Sequence, residues 1–203
     1  MRFFIFLPTF LFFLYTLYRL VKDDHIFLRK NIKLEQLFDI AFIVAFVGLI
    51  FAQFIPNSNI FSLTSGFFGA SLMLYLIGRY KKFPLGRLFD FFTLSFLCSL
   101  PIYFLLLSIY SRKIELFFCL LSAFIYFILA LFFMKKLIQR VMNKTLKEGS
   151  LSIYFLLFFS LFSLVSKISL ALIKHNLFLD LESVTLTLFL VLSSVLLLRM
   201  RRN

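Results

Sequence analysis

Long apolar blocks separated by short basic stretches organise this chain. A helix needs about 20 consecutive apolar residues to cross a bilayer, so each block reads as a membrane span. The first covers 3–21, with Arg19 near its end snorkelling to the interface. From Ile40 to Gly78 there are 39 uncharged residues, too many for one helix. Pro56-Asn57-Ser58-Asn59 divides them into helices near 37–55 and 60–78. Four more spans follow at 88–111, 116–134, 151–173 and 183–198, the first of them carrying Pro101, where a kink is expected. The expectation is an all-α polytopic membrane protein, a bundle of seven transmembrane helices forming one integral membrane domain over 1–203.

Composition agrees. Of the 203 residues 62% are hydrophobic and 15% charged, where a soluble domain is about half apolar and a quarter charged. The net charge of +13 changes meaning in this setting. In a soluble protein it would point to nucleic acid; here the cations flank apolar blocks, where they set topology and meet anionic headgroups, so no nucleic-acid partner is expected. With Arg19 counted at the interface it reaches, the stretches after the first, third and fifth spans, together with the C-terminus, hold 17 of the 22 Lys and Arg residues. That asymmetry places the N-terminus outside and the C-terminus in the cytoplasm. The first block lacks a small-residue cleavage site and is followed by Lys22, Arg29, Lys30 and Lys33, so it reads as a retained helix rather than a signal peptide. The basic stretch 135–150 reads as a cytoplasmic helical extension lying against acidic lipid. The 33 Phe residues read as lipid-facing filler rather than a stacking surface.

Polar residues inside apolar spans carry the candidate chemistry, because each is expensive there. Asp39 and Asp90 are expected in the first turns of their helices, where the macrodipole favours a carboxylate, with Arg87 three residues ahead of Asp90 and able to pair with it. Gln53, Thr64 and Lys167 fall about 3, 6 and 9 Å below the outer surface, taking roughly 1.5 Å per residue from the expected helix ends. Either the three face a shared outer cavity, or Gln53 and Lys167 snorkel outward while Thr64 bonds its own helix backbone. Ser62, Gly66 and Ala70 recur every fourth residue, a ladder suited to close helix contact or to making room for a lipid tail. His25 and His175 belong to opposite faces and Cys98 and Cys119 to separate spans, so neither a metal site nor a redox pair is expected. No generic catalytic motif and no cofactor signature is present in the sequence.

Four stretches resemble a known family. Leu34-Glu35-Gln36-Leu37-Phe38-Asp39, with Gly48 and Gln53, is similar to the start and end of the second helix of prolipoprotein diacylglyceryl transferase. Ser62-Leu63-Thr64-Ser65-Gly66-Phe67-Phe68-Gly69 resembles that family's Ser-x-His-Gly-Gly-x-x-Gly segment. Arg79-Tyr80-Lys81-Lys82-Phe83-Pro84-Leu85-Gly86-Arg87-Leu88-Phe89-Asp90 resembles its basic loop leading to an Asp. Gly149-Ser150 and Val184-Thr185-Leu186 resemble the openings of its last two helices. These enzymes move a diacylglyceryl group from phosphatidylglycerol to the cysteine of a lipoprotein precursor, with seven spans, the N-terminus outside and the C-terminus inside.

The resemblance implies a site that has lost its reactive groups. The family's His falls on Thr64, which cannot act as a base near neutral pH. Its Arg at the end of the second helix falls on Gln53, the Arg of the sixth helix on Lys167, and the acidic residue after it on Ala171. The Gly-Arg-x-Gly-Asn-Phe segment expected after the fourth helix is missing; the apolar run 101–111 leads through Arg112-Lys113-Ile114-Glu115 straight into the next span. One lost catalytic group costs two to four orders of magnitude in rate, on the order of 3–5 kcal/mol, and several are absent. The sequence therefore points to a degenerate, non-catalytic member of a bacterial-type plasma (inner) membrane family. Gln53, Thr64, Gly66 and Lys167 would contact lipid, with phosphatidylglycerol, a lipoprotein precursor or another membrane protein as partner. An active transferase with a rearranged site, and a small transporter or accessory subunit, are the alternatives.

Overall fold

In the computed structural model the described residues are 2–22, 24, 27, 32–53, 63–111, 113–143, 146–173 and 181–202. They form seven helices. These are α1 (Arg2–Val21), α2 (Leu34–Gln53), α3 (Leu63–Tyr80), α4 (Leu85–Ser108), α5 (Lys113–Phe132), α6 (Ser150–Ile173) and α7 (Leu181–Arg202). Helix α5 runs on through a π-helical turn, Phe133–Leu137, and a last α-helical turn, Ile138–Met142. The Pro56-to-Asn59 break, Ser62, His25 and His175 lie outside the described residues.

Five stretches are long and apolar enough to cross a membrane: Phe4–Val21, Leu34–Ala52, Leu85–Ser108, Glu115–Val141 and Ser150–Ser169. The other two helices are more dilute. Thr64, Ser65, Gly66, Gly69, Ser71 and Gly78 interrupt the apolar surface of α3, and α7 ends in Arg199, Arg201 and Arg202 around a shorter apolar core, Ser183–Arg199. Five membrane-competent helices make this a multi-pass membrane protein. Its outward faces agree: Phe117 is 62% exposed and Phe124 63%, which lipid tolerates and water does not.

The packing divides into two units. One holds Met1–Phe42 with Phe83–Leu151, the other Ile43–Lys82 with Ser152–Asn203. In the first, α4 is the hub, packed against α1 and α5. Phe13 meets Phe92 edge-on at 5.9 Å, and Phe104 stacks on Tyr126 at 5.5 Å. The α5 side of this contact is periodic: Cys119, Ala123, Tyr126, Ala130, Phe133 and Leu137 are all buried, at alternating intervals of four and three, and buried Val141 follows four residues later. That is the 3.5-residue seam of left-handed helix packing, here with small residues that let backbones approach in lipid. Ser95 and Ser99 supply small, fully buried positions on α4.

In the second unit α3 is the central element. Its glycine face meets α2, where a β-carbon placed on Gly66 would lie 3.1 Å from the Gly48 carbonyl oxygen and 3.2 Å from the Ala52 Cβ. Phe67 packs on Phe155 and Phe159 of α6, each at 5.6 Å, and Phe68 stacks on Phe189 of α7 at 6.0 Å. One glycine-serine-phenylalanine helix thus touches three neighbours.

Candidate functional site

Gln53, Thr64, Gly66 and Lys167, the residues expected to contact lipid, all belong to the second unit, whereas Asp39, Arg87 and Asp90 belong to the first. Thr64 is the second residue of α3 and is buried. Gly66, half a turn on, is occupied in letting α2 and α3 touch, and the same contact viewed from Gly48 puts a hypothetical β-carbon 3.1 Å from the Gly66 carbonyl oxygen. The expected ladder is therefore a helix-packing seam, with Ala70 also in it at 3.2 Å from that position. Gln53 closes α2, and its side chain lies outside the described residues. Lys167 sits on α6, half-buried, six residues before the helix ends. The Phe67–Phe159 contact fixes its level. Lys167 lies eight residues beyond Phe159, roughly 12 Å along the helix, whereas Thr64 lies three residues from Phe67, roughly 4.5 Å. Lys167 therefore stands about one and a half turns further out than Thr64 along the helix axes, and its long stem bridges part of that gap.

The first unit contains a second polar cluster that sequence reasoning missed. Asp24 lies between α1 and α2 and is fully buried. Arg87, in the first turn of α4, donates to its Oδ2 from Nε at 3.0 Å and from Nη2 at 2.7 Å. The other carboxylate oxygen accepts the Phe27 backbone N–H at 3.1 Å. The guanidinium lies over the Phe91 ring at 5.4 Å, and that ring packs on Phe27 at 5.6 Å. Asp24 and Arg87 are 63 residues apart, which no local spacing rule reveals. The one signal in the sequence was that Asp23 and Asp24 are the acids of an otherwise basic loop.

Both carboxylates assigned to helix starts sit deeper than expected. Helix α4 begins at Leu85, where the Pro84 carbonyl accepts the Leu88 N–H at 2.9 Å, so Asp90 falls in the second turn and beyond the reach of the end charge. It is fully buried and accepts the Gly149 backbone N–H at 2.7 Å. Asp39 is likewise the sixth residue of its helix and exposed; the acid of the first turn is Glu35. Gly149 has φ +89°, a backbone state that suits glycine, and Gly86 lets the loop approach so closely that a β-carbon there would be 2.9 Å from the Glu148 carbonyl carbon. Two glycines and one aspartate thus pin the 146–149 loop to the start of α4.

The chemistry these arrangements can perform is limited. Asp24 and Arg87 are committed to each other, and Asp90 to the loop. The hydroxyls of Thr64 and Ser65 and the ammonium of Lys167 can each hold a phosphate or ester oxygen, but neither hydroxyl is a base near neutral pH. Among the described residues no three His, Cys, Asp or Glu side chains come together. Compared with protein-family models, curated proteins and solved structures, the chain matches none of them.

Proposed function

We propose that this chain is a catalytically degenerate relative of the prolipoprotein diacylglyceryl transferases, a seven-span protein of a bacterial-type inner membrane that keeps a lipid-binding scaffold without the transfer chemistry. Its N-terminus faces outward and its C-terminus the cytoplasm, the arrangement that 17 of 22 basic residues favour. A phospholipid, with phosphatidylglycerol the first candidate, lies against α3 with its phosphate near Lys167, and Gln53 and Thr64 offer neutral hydrogen bonds. A lipoprotein segment or another membrane protein is the candidate protein partner.

One observation carries the reading. Thr64 is buried in the first turn of α3, at the position aligned with the family's His, directly beside a seam in which Gly48 and Gly66 touch. The hydroxyl keeps the volume of a small polar side chain and loses the basicity that activation of a thiol requires. The half-buried position of Lys167 supports a headgroup role, since an ammonium on a flexible stem can reach a phosphate as a point charge.

The test is a transfer assay on the full chain in lipid nanodiscs, with labelled phosphatidylglycerol, a peptide carrying a lipobox cysteine, and an intact family member as control. No label moves to the peptide while the control transfers it. Label on the peptide that disappears in Lys167→Ala would overturn the degenerate reading in favour of a rearranged active site.

A further inference from the structure

The end of α1, the start of α4 and the end of α5 enclose an open cleft of about 550 Å³ within the first unit. Leu20, Phe91, Met134 and Ile138 line it with buried and half-buried apolar surface. Arg19, Gln139 and Asn143 line it with exposed polar groups. Gln139 and Asn143 are one turn apart and share a helix face. Among the described residues the side chains of these three make no ion pair or hydrogen bond. Among the described residues on these helix ends and beside them, Lys22, Lys135, Lys136 and Arg140 are all exposed and add positive charge. The apolar floor is held rigidly, because the Phe91 ring is clamped between Arg87 and Phe27.

From this geometry we infer that the cleft is a binding site for one anionic glycerophospholipid, separate from the site around Lys167. The volume lies within the 300–1,000 Å³ range of small-molecule sites, room for a headgroup and the upper part of one acyl chain. Arg19 meets the phosphodiester with its planar fork of donors, and the carboxamides of Gln139 and Asn143 donate to phosphate and ester oxygens. The acyl chain follows Leu20, Phe91, Met134 and Ile138 towards the membrane interior. A free phosphate would leave that floor uncovered, and a zwitterionic lipid would bring a cation into a field of cations. The site lies at the helix ends from which the basic loops emerge, so the orientation proposed above makes it a cytoplasmic-leaflet site; only the leaflet rests on that proposal.

The full chain is reconstituted in nanodiscs with phosphatidylglycerol carrying a diazirine near the top of one acyl chain, irradiated, and its adducts mapped by mass spectrometry. Adducts fall on 134–143. Arg19→Gln lowers their yield about five- to tenfold, the loss of one charge-assisted contact, Ile138→Trp lowers it by filling the floor, and Arg199→Gln, an exposed cation of the other unit, leaves it unchanged. The phosphatidylcholine analogue labels the same peptide several-fold less, and millimolar inorganic phosphate does not compete. Arg19 is exposed, so its variant folds, and an unchanged melting temperature checks this; should Ile138→Trp fail to fold, the headgroup comparison and Arg19→Gln still decide. Equal labelling by both lipids that is insensitive to Arg19→Gln would reduce the cleft to ordinary annular contact, and competition by inorganic phosphate would make it a phosphate site; either overturns the proposal. Adducts near Lys167 report on the other site, so the two proposals fail independently.

Discussion

A buried carboxylate and a buried guanidinium each lose hydration worth several kcal/mol, and only their mutual hydrogen bonds repay it. Asp24 and Arg87 meet that condition: two nitrogens converge on one oxygen, and a backbone N–H takes the other. Removing one partner is then far worse than removing both. Asp24→Ala should destabilise the protein by about 3–5 kcal/mol, whereas Asp24→Leu combined with Arg87→Met should recover most of that loss. Unfolding of the three proteins in detergent, followed by circular dichroism, checks the sign and the non-additivity. Gly149 tests the neighbouring contact. With φ at +89°, alanine there costs about 1–2 kcal/mol, and its β-carbon would sit 3.5 Å from the Gly86 Cα. A lowered melting temperature for Gly149→Ala, with faster amide exchange at residue 149 as the Asp90 bond weakens, is the expected result.

At the level of elements, lipid gives two apolar helices no hydrophobic reason to associate, so contact depends on how closely their backbones fit. The α2–α3 seam is the clearest case, since each glycine faces the other's carbonyl at 3.1 Å from where a β-carbon would be. Backbone cannot yield as a side chain can. Gly66→Val should therefore cost about 1–3 kcal/mol through overpacking, read as a lower denaturation midpoint of the reconstituted protein. Gly69 is held as tightly, since a β-carbon there would lie 2.6 Å from the Phe51 Cβ, which no change of rotamer moves away. The α5 seam works differently, with Cys119, Ala123 and Ala130 keeping α4 near while Tyr126 and Phe133 fill the space between them. The π-helical turn begins and ends on this seam, at Phe133 and Leu137, and the alternation of four and three gives way only after it, with a second step of four to Val141.

Over the whole molecule, what the sequence made legible was the existence and type of the seven described helices, because apolar run length is a one-dimensional quantity. Boundaries were harder. The backbone remains helical through Arg79 and Tyr80 at the end of α3 and through Arg199 to Arg202 in α7, beyond the ends that the apolar runs marked. Helix α4 starts three residues before the expected Leu88, and Pro84 with its fixed φ was the available sign. The helical extension expected over 135–150 is helical only as far as Met142, and its π turn was not foreseen, because nothing in Phe133-Met134-Lys135-Lys136-Leu137 encodes an i to i+5 bond locally. Among candidate residues, the small-residue spacing of Gly66 and Ala70 pointed to the seam that the fold contains. The Asp24–Arg87 pair was invisible for the opposite reason: its partners lie on segments that only the tertiary fold brings together.

That separation in sequence is also a separation in time. A ribosome adds about 5–20 residues per second, so the 63 residues between Asp24 and Arg87 take about 3–13 s to make. During that interval α1 and α2 already exist and Asp24 lacks the guanidinium it meets in the fold. A lone carboxylate cannot wait in hydrocarbon, so it waits in water, and the first helical hairpin must hold its loop there until α4 arrives. When Arg87 emerges, the two charges leave water together and draw the start of α4 against the end of α1. The ion pair thus acts as a checkpoint in assembly, fastening the early helices to the later ones only after the residues between them have been delivered.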